Sequence, residues 1–288
     1  MSVSTMTDLY CVMGHPVEHS RSPWIHARFA ELTGQQLEYG RRLAPLDDFA
    51  GAVAAFRAQT TGTARGCNVT VPFKFEAAAL SQHLTPRAAL AQAVNVLSFR
   101  DDGVHGDNSD GIGLVNDIRV HAGVALAGSE LLLLGAGGGS AGVLGPLLEA
   151  GPRRVVVANR TLSKAIALVQ RHAALALQHG VALEAQALDS VPGRFDVLVN
   201  ATASSLSGGE VPVPASVLKP GALAVDMMYG AAAAGFMDWA RSHGAVPRDG
   251  LGMLVEQAAE AFALWRGVRP DSAPVLAALR ERLAAKAS

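Results

Sequence analysis

The sequence predicts an α/β protein of two domains, the second of which is built on a doubly wound parallel sheet. The chain has 288 residues, which is long for a single hydrophobic core and suits two domains. In the second half, short apolar strands alternate with helical patterns, as parallel sheets require. A glycine-rich turn at residues 135–142 joins one such strand to a helix.

Composition and charge narrow the classes of function. The formal net charge is −1, so the composition does not indicate the basic surface that a nucleic-acid partner would require. The sequence contains no unbroken run of 18 apolar residues, so no membrane span is predicted. It also lacks a basic N-terminal region followed by an apolar core, so no signal peptide is predicted. Two cysteines are too few for a disulfide framework or a metal site. We therefore expect a cytoplasmic protein without a metal site.

The first elements bring two serines to a helix start. Residues Tyr10–Gly14 read as a strand, and Ser22 is a plausible N-cap with Pro23 at the first helical position before Gly34 ends the helix. The hydroxyls of Ser20 and Ser22 and the free N–H groups of the first turn suit a carboxylate or phosphate. Plain capping by Ser22 is the alternative explanation.

The segment 66–74 places three polar side chains on a stretch that favours extended backbone. A strand is predicted from about Cys67, because the residues there are largely β-branched and Pro72 disfavours helix before it. Alternation along the strand puts Asn68 and Thr70 on one face, and Lys74 follows the strand end, from where it can reach back. An ordinary buried strand with a solvated lysine is the alternative.

Short elements then lead to an aspartate at a helix start. The pattern predicts a helix within 43–57 that includes Leu46, helices at 76–80 and 87–92, a strand at 93–99 and a hairpin at 101–103. Asp110 stands where a helix over 112–120 begins, so it either caps that helix or serves a site.

A dinucleotide-binding pattern opens the second half. The strand Glu130–Leu134 runs into a glycine turn and then an apolar helix that ends at Ala150. Gly135 permits the tight turn and Gly137 the close approach of a pyrophosphate at the helix N-terminus. Ser140 replaces the third glycine of the consensus. The context predicts a Rossmann-like domain.

The end of the next strand indicates the form of the cofactor. NAD-binding folds place an acidic residue after this strand, and here the strand at 154–158 is followed by Asn159, Arg160 and Thr161, with Lys164 one turn later. Two positive charges suit a 2′-phosphate, which favours NADP over NAD. A solvated helix start is the alternative.

The remaining strands end at polar residues. Strands at 195–200 and 222–229 place Thr202 and Tyr229 beyond carboxyl ends, where ligands lie in such sheets. The last region opens an amphipathic helix in which Met253 and Gln257 share a face; an exposed structural glutamine would be an ordinary alternative.

Taken in order, these motifs resemble the shikimate dehydrogenase family over nearly the whole chain. They are His19–Pro23, Gly66–Lys74, Asn95, Asn108–Gly111, Gly135–Ser140, Asn159–Thr161, Asn200–Thr202 and Gly250–Gln257. The resemblance implies a substrate-binding domain at 1–107, completed by C-terminal helices at 251–288, and an NADP-binding Rossmann domain at 108–250.

The resemblance also implies the roles of individual residues. Ser20 and Ser22, with Tyr229, would bind the carboxylate of shikimate. The ring hydroxyls would be held by Thr70, Asn95, Asp110 and Gln257. Lys74 and Asp110 would form the catalytic pair. NADP would contact Gly135, Ala136, Gly137, Gly138, Gly139, Ser140, Asn159, Arg160, Thr161, Lys164, Thr202, Met227 and Gly250.

The implied activity is the reversible NADPH-dependent reduction of 3-dehydroshikimate to shikimate, in the pathway to chorismate and the aromatic amino acids. Such an oxidoreductase needs a group that moves a proton at the 3-hydroxyl oxygen, and Lys74 can do so with Asp110 as its partner. A paralogue that acts on quinate, and a catalytically idle shikimate-binding regulatory protein, remain as alternatives. A monomer and a homodimer are both compatible with the sequence.

Overall fold

The computed structural model describes residues 6–202 and 211–287. The chain divides into two compact units, Met1–Asp110 with Val255–Ser288, and Gly111–Leu254. Each unit contains one six-stranded sheet flanked by helices. The predicted fold class, two α/β domains of which the second is Rossmann-like, is therefore confirmed.

Helices and strands of the described chain alternate as far as β5, after which β6 follows as a hairpin partner, and the chain ends with two consecutive helices. The strands are β1 (Asp8–Gly14), β2 (Glu38–Leu43), β3 (Thr63–Val69), β4 (His83–Leu84), β5 (Val96–Arg100), β6 (Gly103–Asp107), β7 (Glu130–Leu134), β8 (Arg154–Asn159), β9 (Ala182–Ala187), β10 (Phe195–Asn200), β11 (Leu218–Asp226) and β12 (Val246–Arg248). The α-helices are α1 (Ser22–Thr33), α2 (Phe49–Arg57), α3 (Lys74–Leu80), α4 (Pro86–Ala91), α5 (Asp110–Asn116), α6 (Gly138–Glu149), α7 (Leu162–Gln178), α8 (Ala234–Ser242), α9 (Leu251–Arg266) and α10 (Ala273–Ala287).

The sheet of the first unit is mixed, in the order β2-β1-β3-β5-β6-β4. Strands β1, β2 and β3 are parallel, whereas β5 pairs antiparallel with both β3 and β6. One face packs on an apolar cluster in which Phe49 stacks on Phe73 at 4.8 Å between ring centroids. The carboxyl ends of β1, β3 and β6, with the loops that follow them, therefore lie at the same edge of this sheet.

The sheet of the second unit is parallel throughout, in the order β12-β11-β10-β7-β8-β9. Counted from β7, this is the 3-2-1-4-5-6 order of dinucleotide-binding folds, which reverses between β7 and β10. The inner strands β7, β8 and β10 are buried on both faces, as their continuous apolar sequences predict. The reversal point is where such sheets bind their ligands.

Two predicted helix starts are wrong by a few residues, for local reasons. Helix α1 begins at Ser22 rather than after it, because Arg21 is the N-cap residue: its carbonyl accepts the Ile25 N–H, no side chain caps the helix, and the Ser20 hydroxyl accepts the Ser22 N–H. Helix α2 excludes Leu46, which is exposed, because Asp48 caps the helix by accepting the Gly51 N–H.

Two further element ends differ from the prediction in the second unit. Strand β11 ends at Asp226 and not at Tyr229, since the Asp226 carboxylate accepts the Met228 N–H and turns the chain. The helix predicted over 112–120 continues past α5 as a π-helical turn at Asp117–His121. The buried Asp117 there accepts two hydrogen bonds from Arg248, 2.8 and 2.5 Å long.

Among the residues that the structure describes, no helix combines the length and the apolar character that crossing a membrane demands.

Candidate active site

Lys74 and Asp110 form an ion pair in the first unit. Lys74 is the first residue of α3, just beyond β3, and Asp110 is the first residue of α5, just beyond β6. The Lys74 Nζ lies 2.5 Å from Asp110 Oδ2, and the two side chains are 15% and 7% exposed. An amine and a carboxylate are thus held together where solvent reaches them only slightly.

Asn95 orients the second oxygen of that carboxylate. Its Nδ2 donates to Asp110 Oδ1 at 2.8 Å and to Ser109 Oγ at 3.0 Å, and its Oδ1 accepts the Ser109 N–H at 2.8 Å. Because the backbone bond fixes which amide atom is the oxygen, the NH₂ group must face Asp110. Asn95 therefore leaves Asp110 Oδ2 to Lys74.

The backbone before Asp110 is held just as firmly. Asn108 Oδ1 accepts the Asp110 N–H at 3.1 Å, while Asn108 Nδ2 donates to the Ala93 carbonyl at 2.9 Å. Asp107 in turn accepts a bidentate pair of hydrogen bonds from Arg87, 2.6 and 2.7 Å long. Buried polar groups that satisfy one another in this way fix the carboxylate in place before any ligand binds.

Gln257 on α9 belongs to the same group of side chains. It is buried, and its Oε1 lies 3.3 Å from Asn95 Nδ2 and 3.4 Å from Ser109 Oγ. The structure therefore brings together four of the predicted residues, namely Lys74, Asn95, Asp110 and Gln257, and adds Ser109 to them.

The predicted Ser20, Ser22 and Thr70 lie on two loops that follow neighbouring strands. Ser20 Oγ donates to Ser22 Oγ at 3.2 Å. Thr70 follows β3, and its N–H donates to the Met13 carbonyl on β1 at 2.9 Å. The His15 N–H donates to the Val71 carbonyl at 3.0 Å, which joins the two loops. The loops contain the cis peptide bonds His15–Pro16 and Val71–Pro72, which sequence reasoning did not anticipate.

Sequence reasoning missed the aromatic and amide residues beneath the site. Tyr39 donates to Asn68 Oδ1 at 2.6 Å, and Asn68 Nδ2 donates to the Asn95 carbonyl at 3.2 Å. Burial raises the pKa of Tyr39 well above its ordinary value, which keeps the phenol a donor. The His26 ring stacks on Tyr39 at 4.1 Å, and burial lowers the pKa of His26 to about 3. The predicted alternation of Asn68 with Thr70 was the one available signal.

In chemical terms, the first unit presents a primary amine paired with a fixed carboxylate, together with several amides and hydroxyls. An amine in this setting can exchange a proton with a bound hydroxyl or carbonyl oxygen. The amides and hydroxyls can donate to and accept from a small polyhydroxylated ligand. This donor set suits proton transfer at the oxygen of an alcohol or ketone.

The glycine turn of the second unit leaves room for a phosphate at a helix start. Gly135 follows β7 with φ +106°, and a Cβ there would lie 3.1 Å from both the Ala201 carbonyl oxygen and Ser140 Oγ. A Cβ on Gly137 would meet open space. Helix α6 begins at Gly138 without a side-chain cap, so its first N–H groups are directed at that space.

Ser140 gives an independent indication of a missing partner. Its side chain is fully buried, and within the described chain its Oγ has no hydrogen-bond partner. A buried hydroxyl in a native site is normally satisfied, so a ligand at the turn would complete it. Ala136 lies between Gly135 and Gly137 in the turn, and Gly139 immediately precedes Ser140 in the first turn of α6.

Met227 lies close to the same turn, and Gly250 and Thr202 are on loops nearby. A Cβ on Gly139 would lie 3.3 Å from Met227 Cε, and one on Gly250 would lie 2.4 Å from the Met227 carbonyl oxygen. Thr202, beyond β10, donates its hydroxyl to Asn200 Oδ1 at 2.7 Å. Thr202 and Met227 therefore follow β10 and β11, and Gly250 follows β12 beside Met227.

The end of β8 carries the residues that are predicted to distinguish the cofactors. Asn159 Nδ2 donates to the Thr161 carbonyl at 2.9 Å, which shapes the start of α7. Arg160 and Lys164 are exposed there, and the sequence has no acidic residue at this strand end. Taken with the glycine turn and the buried Ser140 hydroxyl, the residues present fit a dinucleotide that carries an extra phosphate.

Tyr229, the remaining predicted residue, follows β11 in the second unit and is half-buried.

Three family models match the chain. A shikimate dehydrogenase substrate binding domain matches residues 12–97, a shikimate / quinate 5-dehydrogenase model matches 119–207, and a shikimate 5′-dehydrogenase C-terminal domain matches 250–280. A curated relative, the shikimate dehydrogenase (NADP(+)) of Paracidovorax citrulli, is 66% identical over 284 residues, which cover 98% of this chain and 100% of the relative.

Solved structures agree with this. An Ael1 enzyme from Pseudomonas putida is 45% identical with a TM-score of 0.85, covering 95% of this chain and 98% of that one. The shikimate 5-dehydrogenase of Thermus thermophilus, in complex with NADP(H) and shikimate, is 31% identical with a TM-score of 0.78 and covers 95% and 98%. The chain belongs to the shikimate dehydrogenase family.

Proposed function

We propose that this chain is an NADP-dependent shikimate dehydrogenase, an oxidoreductase that interconverts 3-dehydroshikimate and shikimate. The observation that carries the proposal is the Lys74–Asp110 pair, 2.5 Å between Nζ and Oδ2, in a chain 66% identical to a relative of that name. The pair supplies what such a reaction needs from the protein, which is a group that exchanges a proton at the reacting oxygen.

NADP(H), when bound, supplies or accepts the hydride at carbon 3 of the substrate. Lys74 takes the proton of the 3-hydroxyl as the neutral amine when shikimate is oxidised, and returns a proton to that oxygen as the ammonium when the ketone is reduced. Asp110 holds the amine through Oδ2 and is itself held by Asn95 through Oδ1. The Lys74 amine, which exchanges the proton, is therefore held in position before the substrate binds.

We assign the rest of the substrate to the neighbouring polar side chains. Ser20 and Ser22 bind its carboxylate, with Tyr229 as a further donor. Thr70, Asn95 and Gln257 hold the ring hydroxyls; the burial of Asn95 and Gln257 supports this, since buried amides discriminate strongly against ligands that leave them unpaired.

We assign the cofactor to the second unit. Gly135–Ser140 at the N-terminus of α6 would hold its pyrophosphate, and Arg160 and Lys164 would hold the 2′-phosphate that distinguishes NADP from NAD. The uncapped helix start and the buried Ser140 hydroxyl support the first assignment. The two exposed cations support the second.

This activity places the chain in the shikimate pathway toward chorismate and the aromatic amino acids. We propose that it acts in the cytoplasm, as a monomer or a homodimer, on a small molecule. Light scattering coupled to size-exclusion chromatography distinguishes the two oligomeric states.

The test is reduction of the cofactor by the purified chain, followed at the absorbance band of the reduced nicotinamide. NADP⁺ and NAD⁺ are each combined with shikimate and with quinate. Reduction with NADP⁺ and shikimate, well above the other three pairs, supports the proposal. Faster turnover of quinate or a preference for NAD⁺ would replace it with the quinate-type activity. Absence of turnover while shikimate still raises the melting temperature would indicate a binding protein.

A further inference from the structure

A second group of titratable side chains lies in the first unit and takes no part in the proposed reaction. It consists of His83, Asp102 and His105. One ligand atom from each residue lies within 4.8 Å of the other two.

The backbone brings the three side chains together. His83 on β4 and His105 on β6 are direct partners in a parallel strand pair, so both rings stand on the same face, 4.4 Å apart between centroids. Asp102 lies in the turn between β5 and β6. Its Oδ1 is 2.8 Å from His105 Nε2, and its Oδ2 is 3.8 Å from His83 Nε2.

Hydrogen bonds on both sides of β4 hold this arrangement. The Gln82 N–H donates to the Val104 carbonyl at 2.9 Å, and the Val104 N–H donates back to Gln82 Oε1 at 2.7 Å. On the other side, the Thr85 N–H donates to the Gly106 carbonyl at 3.1 Å. The two strand segments that carry the rings are therefore fixed relative to each other before any ligand binds, which lowers the entropic cost of binding.

Two imidazoles and one carboxylate form a donor set that suits late first-row divalent cations such as Zn²⁺. With ligand bonds of about 2.0–2.1 Å in tetrahedral geometry, neighbouring ligand atoms are about 3.3 Å apart. Asp102 places one oxygen near each ring, with Oδ1 2.8 Å from His105 Nε2 and Oδ2 3.8 Å from His83 Nε2, so each distance is within about 0.5 Å of that value. Small rotations of these three side chains would therefore bring one ligand atom from each to the spacing that a bound ion requires.

We propose that His83, Asp102 and His105 bind one divalent transition-metal ion, Zn²⁺ in the first instance, with water completing its coordination. The ion bridges the two-residue strand β4 to the turn of the β5–β6 hairpin. Because it binds the folded chain, it raises the stability of the first unit by mass action.

This site is separate from the candidate active site. Asn95 immediately precedes β5, whereas Asp102 follows its far end, a separation of about 20 Å at about 3.3 Å per residue; His105 pairs with Ser98, about 10 Å along the strand from Asn95. Removal of the metal therefore leaves the proposed dehydrogenase turnover unchanged.

The test uses the full chain without a histidine tag, stripped of metal with a chelator. Zn²⁺ binding is measured by isothermal titration calorimetry and by the shift in melting temperature. The variants are H83A, H105A and D102N, the last of which keeps the shape of the side chain. The matched control is H179A, which removes an exposed histidine of the second unit. Mg²⁺ provides the control ion.

We expect one high-affinity Zn²⁺ per chain in the wild type and in H179A, with a rise in melting temperature. Each of the three site variants should bind at least about tenfold more weakly and lose the rise, since loss of a direct ligand costs at least as much as loss of an outer-shell partner. Mg²⁺ should give no shift. Equal Zn²⁺ affinity in the wild type and D102N, or in the wild type and both histidine variants, would overturn the proposal.

Discussion

Replacement of Lys74 by methionine removes one ammonium group while keeping most of the length of the side chain. If Lys74 exchanges the proton at the 3-hydroxyl, turnover should fall by at least about 10²-fold, the lower end of general acid–base contributions. That loss corresponds to about 2.7 kcal/mol of transition-state stabilisation. Shikimate binding should change little, because Ser20, Ser22, Asn95 and Gln257 are untouched.

The substitution also has a structural cost that must be separated from the catalytic one. Lys74 is 15% and Asp110 7% exposed, so the variant leaves a largely buried carboxylate without its cation. Loss of one partner from a buried ion pair costs about 3–5 kcal/mol, and the residual exposure places the cost here toward the lower end. The double variant Lys74→Met/Asp110→Asn removes the charge and should regain much of that stability without regaining turnover.

Steady-state kinetics with NADP⁺ and shikimate gives kcat and KM, and calorimetry gives the Kd of shikimate. Arg266→Met is the control, since Arg266 pairs at 2.5 Å with Asp8 at the start of β1 in the same unit, with exposures of 17% and 22%; Asp8 keeps its second partner Arg65 at 2.7 Å, so the loss of stability should be smaller. It should lose stability but keep its turnover. Turnover of a folded Lys74→Met variant within about tenfold of the wild type would refute the assignment, as would an equal loss in Arg266→Met.

Three further variants test other parts of the account. Asn95→Ala removes a hydrogen bond to the Asp110 carboxylate, worth about 1.5–3 kcal/mol, and should lower kcat at least about tenfold in the steady-state assay. Arg160→Ser should raise KM for NADP⁺ by about 10- to 100-fold and leave KM for NAD⁺ nearly unchanged; equal effects on both would exclude a 2′-phosphate contact. The pKa of His26 is about 3 in the folded chain and about 6.5 when unfolded, so the unfolded chain takes up the proton first and stability falls as pH drops below about 6.5. His26→Phe, which keeps a ring against Tyr39, should remove about 2 kcal/mol of the loss that urea unfolding detects between pH 7.5 and 5; an unchanged pH dependence would contradict this.

The parts that the sequence predicted well are those determined by local patterns. The strand at 130–134, the turn at Gly135 and the helix that follows depend on a continuous apolar run and on glycine conformations, and both are readable from neighbouring residues. The same holds for the hairpin at 101–103. The family motifs then allowed Lys74, Asn95, Asp110 and Gln257 to be grouped, although they are up to about 180 positions apart.

The parts that escaped prediction depend on contacts between distant residues. The antiparallel pairing of β5 with β3 leaves no pattern in either strand, and β4 is only two residues long. Tyr39 and Asn68 are 29 positions apart, so their hydrogen bond could not be inferred from spacing. The buried Asp117 in the π-helical turn is likewise paired with Arg248, 131 positions away.

The central claim is that the chain moves a hydride at carbon 3 of shikimate while Lys74 moves the proton. The most direct measurement is identification by nuclear magnetic resonance of the product that purified chain forms from shikimate and NADP⁺, with parallel quantification of NADPH. We expect the wild type to form a ketone at carbon 3 in amounts equal to the NADPH formed. The Lys74→Met variant should form almost none. A ketone at another carbon, or equal product from both proteins, would contradict it.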